Sequence, residues 1–259
     1  MTPLLSLKEV SVGYGGKAVV SDVSLDISAG EFCALLGLNG SGKTTLLKGI
    51  CGLLPLTGGR CLSGGLDCTG LNEKERARHF SYIPQRFSKL ISVTVADAVM
   101  MGLNAKLGVL EFPSTADKAS ALAAMEKMEI PHLAGEDFSR LSEGQKQLVI
   151  LARALAQNAP VMLMDEPDSA LDFLNKHKTL ARIRKLIHDE GKAGLVTLHD
   201  PNLALSYCDR LILLHGGKVE SEISLAEATK DDLQSCLSAI YGNITLLEHE
   251  GKHIVLSPS

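Results

Sequence analysis

The sequence predicts an α/β fold built around a phosphate-binding loop, with a β-rich opening and a helical lobe inserted in the middle. Three observations carry this. The glycine loop Gly37-Leu38-Asn39-Gly40-Ser41-Gly42-Lys43-Thr44, followed by Thr45, lies between an apolar run, Phe32–Leu36, and a helix-like run, Thr45–Ile50. Two continuous apolar runs, Val161–Met164 and Gly194–Leu198, read as central parallel strands buried on both faces. From about residue 86 to 157 the pattern is almost wholly helical.

The opening is β-rich. Leu5, Leu7, Val10 and Val12 alternate loosely up to the turn Gly13-Tyr14-Gly15-Gly16, and Val19-Val20 and Val23–Ile27 read as further strand. Tyr14 has two readings at this point: a hairpin tyrosine covering the sheet, or a ring that stacks on a flat purine. The chain then enters the glycine loop. Strand, glycine loop and helix in that order form a phosphate cradle, because glycines let successive N–H groups converge on an anion at a helix N-terminus. Lys43 can reach the β- and γ-phosphates as a point charge, and the Thr44 hydroxyl can ligate Mg2+.

Beyond the first helix, Gly58-Gly59 and Gly64-Gly65 bracket a short predicted strand, Arg60–Ser63, and the charged residues 72–79 predict a surface helix. Ser81–Gln85 reads as a strand ending in a Pro-Gln loop. Residues 94–102 and 115–129 are predicted helical, the second with an apolar stripe of Ala121, Leu122, Met125 and Met128, and Gly108–Pro113 is predicted loop. Ser142 and Gln145 fit a capping box, and Leu148, Leu151, Ala152 and Leu155 give that helix its buried face. The apolar run from Val161 closes on Asp165 and Glu166. Ligands in open α/β sheets bind beyond the carboxyl ends of strands, where both acids and His199 would stand. A strand-end Asp-Glu is otherwise a solvated turn, and a lone histidine a structural one. Residues 174–190 read as a helix buried through Leu180, Ile183 and Ile187, Asp200 as an N-cap with Pro201 at the first helical position, and the tail as short strands with a helix near 225–241.

Composition narrows the classes. A net charge of −4 with no Lys/Arg block gives no attraction to nucleic acid. No run approaches eighteen apolar residues, and Met1–Leu4 lacks a leader pattern, so the chain is expected in the cytosol, meeting a membrane only through a partner. Six cysteines without a C-x-x-C pair read as small buried hydrophobes in a reducing compartment.

Taken in order, Tyr14, the phosphate loop, Gln85, Leu141–Gln145, Asp165-Glu166, Ser169–Asp172 and His199 resemble, over nearly the whole chain, the ATP-binding subunit of an ABC transporter. The resemblance implies a P-loop NTPase (RecA-like) core with an N-terminal antiparallel β subdomain (residues 1–85 and 158–215 together), an inserted α-helical subdomain (86–157) and C-terminal strands and helix (216–259), all one ATP-binding domain. It implies roles too. Tyr14 stacks on adenine, and Gly37, Asn39, Gly40, Ser41, Gly42, Lys43, Thr44 and Thr45 hold the phosphates. Thr44, Gln85 and Asp165 serve Mg2+. Glu166 is the catalytic carboxylate, Gln85 also contacts the attacking water, and His199 acts at the γ-phosphate. Ser142, Gly144 and Gln145 belong to the signature segment and Asp172 to the loop before the next helix. These face the nucleotide of a second copy, so that two copies sandwich two ATP molecules.

A finer resemblance, through Met101-Gly102, His199–Ala204, Tyr207–Arg210 and Ala239-Ile240-Tyr241-Gly242, is to importers of iron–siderophore, haem or cobalamin. It implies an ATPase that powers import through integral permease subunits, fed by a substrate-binding protein, at the cytoplasmic face of the membrane, with residues 86–112 receiving the permease's coupling helix. Pro201, Glu143 and Leu148 depart from the common pattern, where Leu, Gly and Arg are usual. The Gln-Lys-Gln-Leu stretch is similar to that of molybdate or tungstate importers. A soluble iron–sulfur assembly ATPase is the alternative outside transport.

Overall fold

The computed structural model describes residues 2–85, 93–105, 111 and 113–256. Strands β1 (Leu5–Tyr14), β2 (Lys17–Ile27), β4 (Leu56–Ser63) and β5 (Leu66–Asp67) form an antiparallel sheet in the order β2-β1-β4-β5. A six-stranded sheet runs β10-β9-β3-β8-β7-β6. In it β3 (Phe32–Leu36), β6 (Phe80–Ile83), β7 (Val161–Asp165), β8 (Ala193–Thr197) and β9 (Arg210–His215) are parallel, and β10 (Lys218–Ser224) is the antiparallel edge. β11 (Thr245–His249) and β12 (Lys252–Leu256) make a separate hairpin.

The helices are α1 (Lys43–Ile50), α2 (Glu73–Arg76), α3 (Val95–Met100), α4 (Thr115–Lys127), α5 (Glu143–Gln157), α6 (Phe173–Asp189), α7 (Pro201–Tyr207) and α8 (Lys230–Tyr241). α3, α4 and α5 pack on one another, and α5 also meets β6. Among the described residues no helix is long and apolar enough to cross a membrane.

The central strands are apolar throughout because each feeds two cores. Along β3, Phe32, Ala34 and Leu36 face one cluster while Cys33 and Leu35 face the other. β7 divides likewise, Met162 and Met164 against Val161 and Leu163. One core lies under α6, α7 and α8 and extends into the α3–α5 lobe; the other lies between this sheet, α1 and the antiparallel sheet. This is the period-two alternation of a strand with both faces covered. All six cysteines are free thiols, and Cys33, Cys61, Cys68 and Cys208 are buried.

Several local expectations change. β4 begins at Leu56 and runs through Gly58-Gly59, which absorb a shift in register against Lys8 and Ser11 and do not bound the strand. Gly59 has φ +76°, and a Cβ there would lie 2.3 Å from the Glu9 carbonyl oxygen. The charged 72–79 segment is one turn, α2, closed by an Asn72–Glu75 capping box. Its Arg76 is not a surface residue. The guanidinium is buried and donates to the Gly49 and Ile50 carbonyls at the end of α1 and to those of Cys68 and Thr69. On α4, Leu122 is exposed and Ala124 takes its place in the core. Leu148 is only half-buried, beside a groove. The predicted Gly108–Pro113 loop lies, apart from residues 111 and 113, outside the described residues.

Candidate active site

The phosphate loop leaves β3 where space is short. A Cβ at Gly37 would lie 2.3 Å from the Leu214 carbonyl oxygen, and one at Gly42 2.5 Å from Val20 Cγ2, where φ is +106°. Both positions therefore require glycine. α1 begins at Lys43 with no side-chain cap and no acid in its first turn. Its first N–H groups stay available to an anion. Asn39 and Gly40 stand exposed at the lip, while Ser41, Lys43 and Thr45 are buried. The Lys43 ammonium sits on the loop's own carbonyls, 2.7 Å from Gly37 O and 3.2 Å from Leu38 O. Burial lowers its pKa, and the charges of Glu166 and Asp165 oppose that shift. Tyr14 ends β1 with 52% of its surface exposed, so it is not buried over the sheet. β2 meanwhile leans on the loop through Val19 and Val20 at Gly42.

Parallel pairing brings the ends of β7 and β8 level, Asp165 opposite Thr197. Asp165 is 2% exposed, and three hydroxyls serve its carboxylate. Thr44 Oγ1 (3.0 Å) and Thr197 Oγ1 (2.9 Å) donate to Oδ1, and the Tyr82 hydroxyl (3.3 Å) donates to Oδ2. Burial first, and the Asp165 charge second, push the Tyr82 phenol well up, so it remains a donor. Glu166 follows with φ +48°, a left-handed conformation rare for a side chain of its size. Its N–H donates to Thr197 Oγ1 at 2.9 Å. One carboxylate oxygen of Glu166 lies 2.6 Å from His199 Nε2, and the other accepts from Gln85 Nε2.

His199 is itself half exposed and anchored from behind, since Asp200 caps α7 and its Oδ1 accepts from Asn202 N at 2.8 Å. Thr44 Oγ1 and the Asp165 carboxylate are hard oxygen donors side by side. They suit Mg2+, which takes one or two protein oxygens and keeps waters and phosphate oxygens for the rest.

Ser142, Gly144, Gln145 and Asp172 are elsewhere. Ser142 and Gln145 form a reciprocal capping box on α5, with Ser142 N donating to Gln145 Oε1 at 3.0 Å and Gln145 N to Ser142 Oγ at 3.3 Å. Asp172 caps α6 through Asn175 N at 2.9 Å. Together they line a groove of about 390 Å³ with Leu148, Ala170 and Leu171, and none of its lining residues belongs to the phosphate loop. One chain thus joins Lys43, Thr44, Gln85, Asp165, Glu166 and His199, and holds the signature segment apart from them.

Sequence reasoning missed Thr197 and Tyr82. The available signal was a hydroxyl inside an otherwise apolar buried run, Gly194–Leu198, two residues before His199.

A phosphate loop borne on β3, facing acids at the end of β7 with β8 between the two strands, defines a P-loop nucleotide hydrolase. Residues 20–169 match the family model for the ABC transporter, and the chain belongs to that family. It is an ABC ATP-binding subunit, and such subunits bind and hydrolyse ATP.

An ABC transporter ATP-binding protein of Haemophilus influenzae is 39% identical over 211 residues, 82% of this chain and 80% of the relative. The hemin import ATP-binding protein HmuV of Shewanella denitrificans is 35% identical over 236 residues, 89% and 91% of the two chains. The manganese transport system ATP-binding protein MntB of Bacillus subtilis is 36% identical over 217 residues, 83% and 84%. Among solved structures, one described as an inward-facing metal-chelate type ABC transporter superposes with a TM-score of 0.81 at 25% identity, covering 99% of this chain and 96% of the other. The dimeric structure of a bacterial ABC transporter cassette gives 0.76 at 32%, covering 85% and 98%.

Proposed function

We propose that this chain is the ATP-hydrolysing subunit of a metal-chelate importer, working as two copies docked on membrane permease subunits. One observation carries the ATPase part: the Glu166 carboxylate is held between Gln85 and His199 directly beyond Asp165 and the phosphate loop. On this reading Tyr14 stacks on adenine, and the loop Gly37–Thr45 cradles the phosphates through its N–H groups beyond Leu38 while Lys43 leaves its two carbonyls for them. Thr44, Asp165 and Gln85 hold Mg2+, which when bound neutralises charge on the β- and γ-phosphate oxygens. Glu166 orients and polarises the attacking water. His199 turns its ring N–H from Glu166 to a γ-phosphate oxygen.

The separate groove at Ser142, Gly144, Gln145 and Asp172 supports the two-copy arrangement. The α5 N-terminus can stabilise an anion through its partial positive charge, its own chain's phosphate loop brings none there, and a second copy supplies it. ATP then closes the pair and hydrolysis reopens it. Residues 1–85 with 158–215 act as the ATPase body, 86–157 as the helical subdomain that meets the permease, and 216–259 as an appended C-terminal segment. The assembly works at the cytoplasmic face of the membrane, and a substrate-binding protein delivers the cargo to the permease from the other side.

The hemin-importing relative and the metal-chelate type structure support a chelate as cargo. The manganese-transport relative, about as similar, supports a bare divalent metal as the second reading. Reconstitution with its permease in vesicles tests this. ATP-driven uptake of haem, a ferric siderophore or cobalamin supports the chelate reading. Uptake of manganese, molybdate or tungstate alone replaces it. Failure to copurify with any integral membrane protein removes the transport role.

A further inference from the structure

Tyr241, in the stretch Ala239-Ile240-Tyr241-Gly242, has no part in the reaction outlined above. It is the last residue of α8, and its ring packs against the main core. Its hydroxyl is buried and has no hydrogen-bond partner among the described residues. That hydroxyl stands beside the backbone N–H of Gly37, the first residue of the phosphate loop, and within electrostatic reach of the Asp200 carboxylate. Burial first, then Asp200, push the phenol up to about 12, so near neutral pH it can both donate and accept.

The surroundings of Gly37 are crowded. A Cβ there would meet Ser41 Oγ at 2.7 Å, and Ser41 Oγ is a second buried hydroxyl without a hydrogen-bond partner among the described residues. Asp200 Oδ1 is already taken by the Asn202 N–H, and Oδ2 accepts no hydrogen bond among the described residues. Burying a hydroxyl unpaired is unfavourable, and phenylalanine would fill the same space without that penalty. The hydroxyl therefore has its use in another state of the loop. Such a state is available: Lys43 Nζ pins Gly37 O at 2.7 Å here, and when the ammonium moves to phosphate the backbone dihedrals at Gly37, which also aim its N–H, lose that restraint.

We propose that Tyr241 is a positioning residue of the nucleotide-bound state, its oxygen accepting the Gly37 N–H and its O–H donating to Asp200. One side chain of the C-terminal helix then ties the phosphate loop to the turn that carries His199. This rests on the ATPase reading above, and its test is arranged so that the two fail separately.

The test is Tyr241→Phe in the full chain, compared with the parent for melting temperature with and without Mg-ATP and for steady-state ATP hydrolysis. The nucleotide-free melting temperature should equal or exceed the parent's, because no bond is lost. The kcat/KM should fall about 3–10-fold, the range that one net hydrogen bond supports, and the ATP concentration giving half the melting shift should rise by a similar factor. Asp200→Asn, which keeps the helix cap, should give the same loss, and the double variant should lose no more than either single one. Unchanged kcat/KM and melting shift in Tyr241→Phe would overturn the proposal. So would a lower nucleotide-free melting temperature with normal turnover, which marks a packing residue, or additive losses in the double variant. A parent that shows no ATP-dependent melting shift would sink the nucleotide reading itself, whatever Tyr241 does.

Discussion

Thr197→Val is the perturbation that tests the architecture of the site most directly. The two side chains have nearly the same shape, so the core around β8 keeps its volume, and what disappears is one hydroxyl. That hydroxyl is fully buried, donates to Asp165 Oδ1 at 2.9 Å and accepts the Glu166 N–H at 2.9 Å. Losing the bond to a charged acceptor costs about 1.5–3 kcal/mol, and leaving a buried N–H unpaired costs about 1–3 kcal/mol. The two losses overlap, because Asp165 keeps the Thr44 and Tyr82 donors; a total of about 2–4 kcal/mol follows. For a chain of this size that is a drop of about 4–16 °C in melting temperature.

The catalytic effect should exceed what the folded fraction explains. Without the Thr197 acceptor, the left-handed backbone at Glu166 loses the bond that fixes it, and the carboxylate no longer stands at one place. Thermal melting and single-turnover hydrolysis on one preparation give both numbers, and Thr197→Ser should restore most of each. A Val variant with the parent's melting temperature and turnover would show that Asp165 and Glu166 are positioned by something other than this hydroxyl.

Four further outcomes follow from the same geometry. Lys43→Ala should abolish tight ATP binding, measured by calorimetry, because the phosphate charge is then met by backbone dipoles alone; parental hydrolysis would remove the phosphate-loop assignment. Glu166→Gln should slow hydrolysis by about 10²–10³-fold while ATP still binds and a closed pair of copies accumulates, with sedimentation in Mg-ATP, permease present, as the check. His199→Ala should lose turnover yet melt within a few degrees of the parent, since half of that side chain is exposed; lowered stability with turnover retained would make it structural. Asp168→Asn should raise the melting temperature at neutral pH. Burial raises the Asp168 pKa in the fold, so its contribution is full below the unfolded value near 3.8 and lost as pH rises through the folded one. The advantage of the Asn variant must therefore vanish in acid, and an advantage independent of pH would contradict the cause.

Where one element of sequence decides one element of structure, the reading from sequence holds. The apolar runs of β3, β7 and β8 are continuous because each strand feeds two cores, and that is visible without coordinates. The Ser142–Gln145 capping box and the Asp200-Pro201 helix start are local chemistry and stand where expected. What escapes is what distant segments decide together. Gly58-Gly59 looks like a strand boundary until β1 lies beside it and the pair proves to be a shift in register. Arg76 belongs to a charged run and reads as surface; only the end of α1 and the 68–69 turn, folding around it, bury it. Leu122 and Ala124 exchange places because α4 packs through small residues against α5, so side-chain size alone misjudges its inner face. Thr197 is the instructive case: in sequence it is one β-branched residue among others, and its meaning lies in the register that sets it opposite Asp165.

The charged groups of the site are already partnered within the chain, and that bears on how binding and hydrolysis are kept in step. Lys43 rests on Gly37 O and Leu38 O, Asp165 on three hydroxyls, and Glu166 on Gln85 and His199. Arrival of ATP is then an exchange of partners. On the proposed mechanism the ammonium gives up two carbonyl contacts for phosphate oxygens, whose full negative charge attracts it more strongly than a carbonyl dipole does. On the proposed mechanism the same exchange operates at the catalytic acid. While His199 donates to Glu166, one carboxylate oxygen is occupied and a poor acceptor for a proton from water. A γ-phosphate oxygen competes for that imidazole N–H and releases the carboxylate only when a triphosphate is present. Gln85, on the other oxygen and just before the 86–157 segment in the chain, adds a second hold. A carboxylate restrained from two sides is activated only when both restraints move, one under the control of nucleotide and the other of the lobe. Replacing Gln85 by Ala should accordingly loosen hydrolysis from its control by the permease, raising the ATPase rate of the isolated subunit relative to the rate with permease bound. A rate ratio equal to the parent's would show that Gln85 holds Glu166 without gating it.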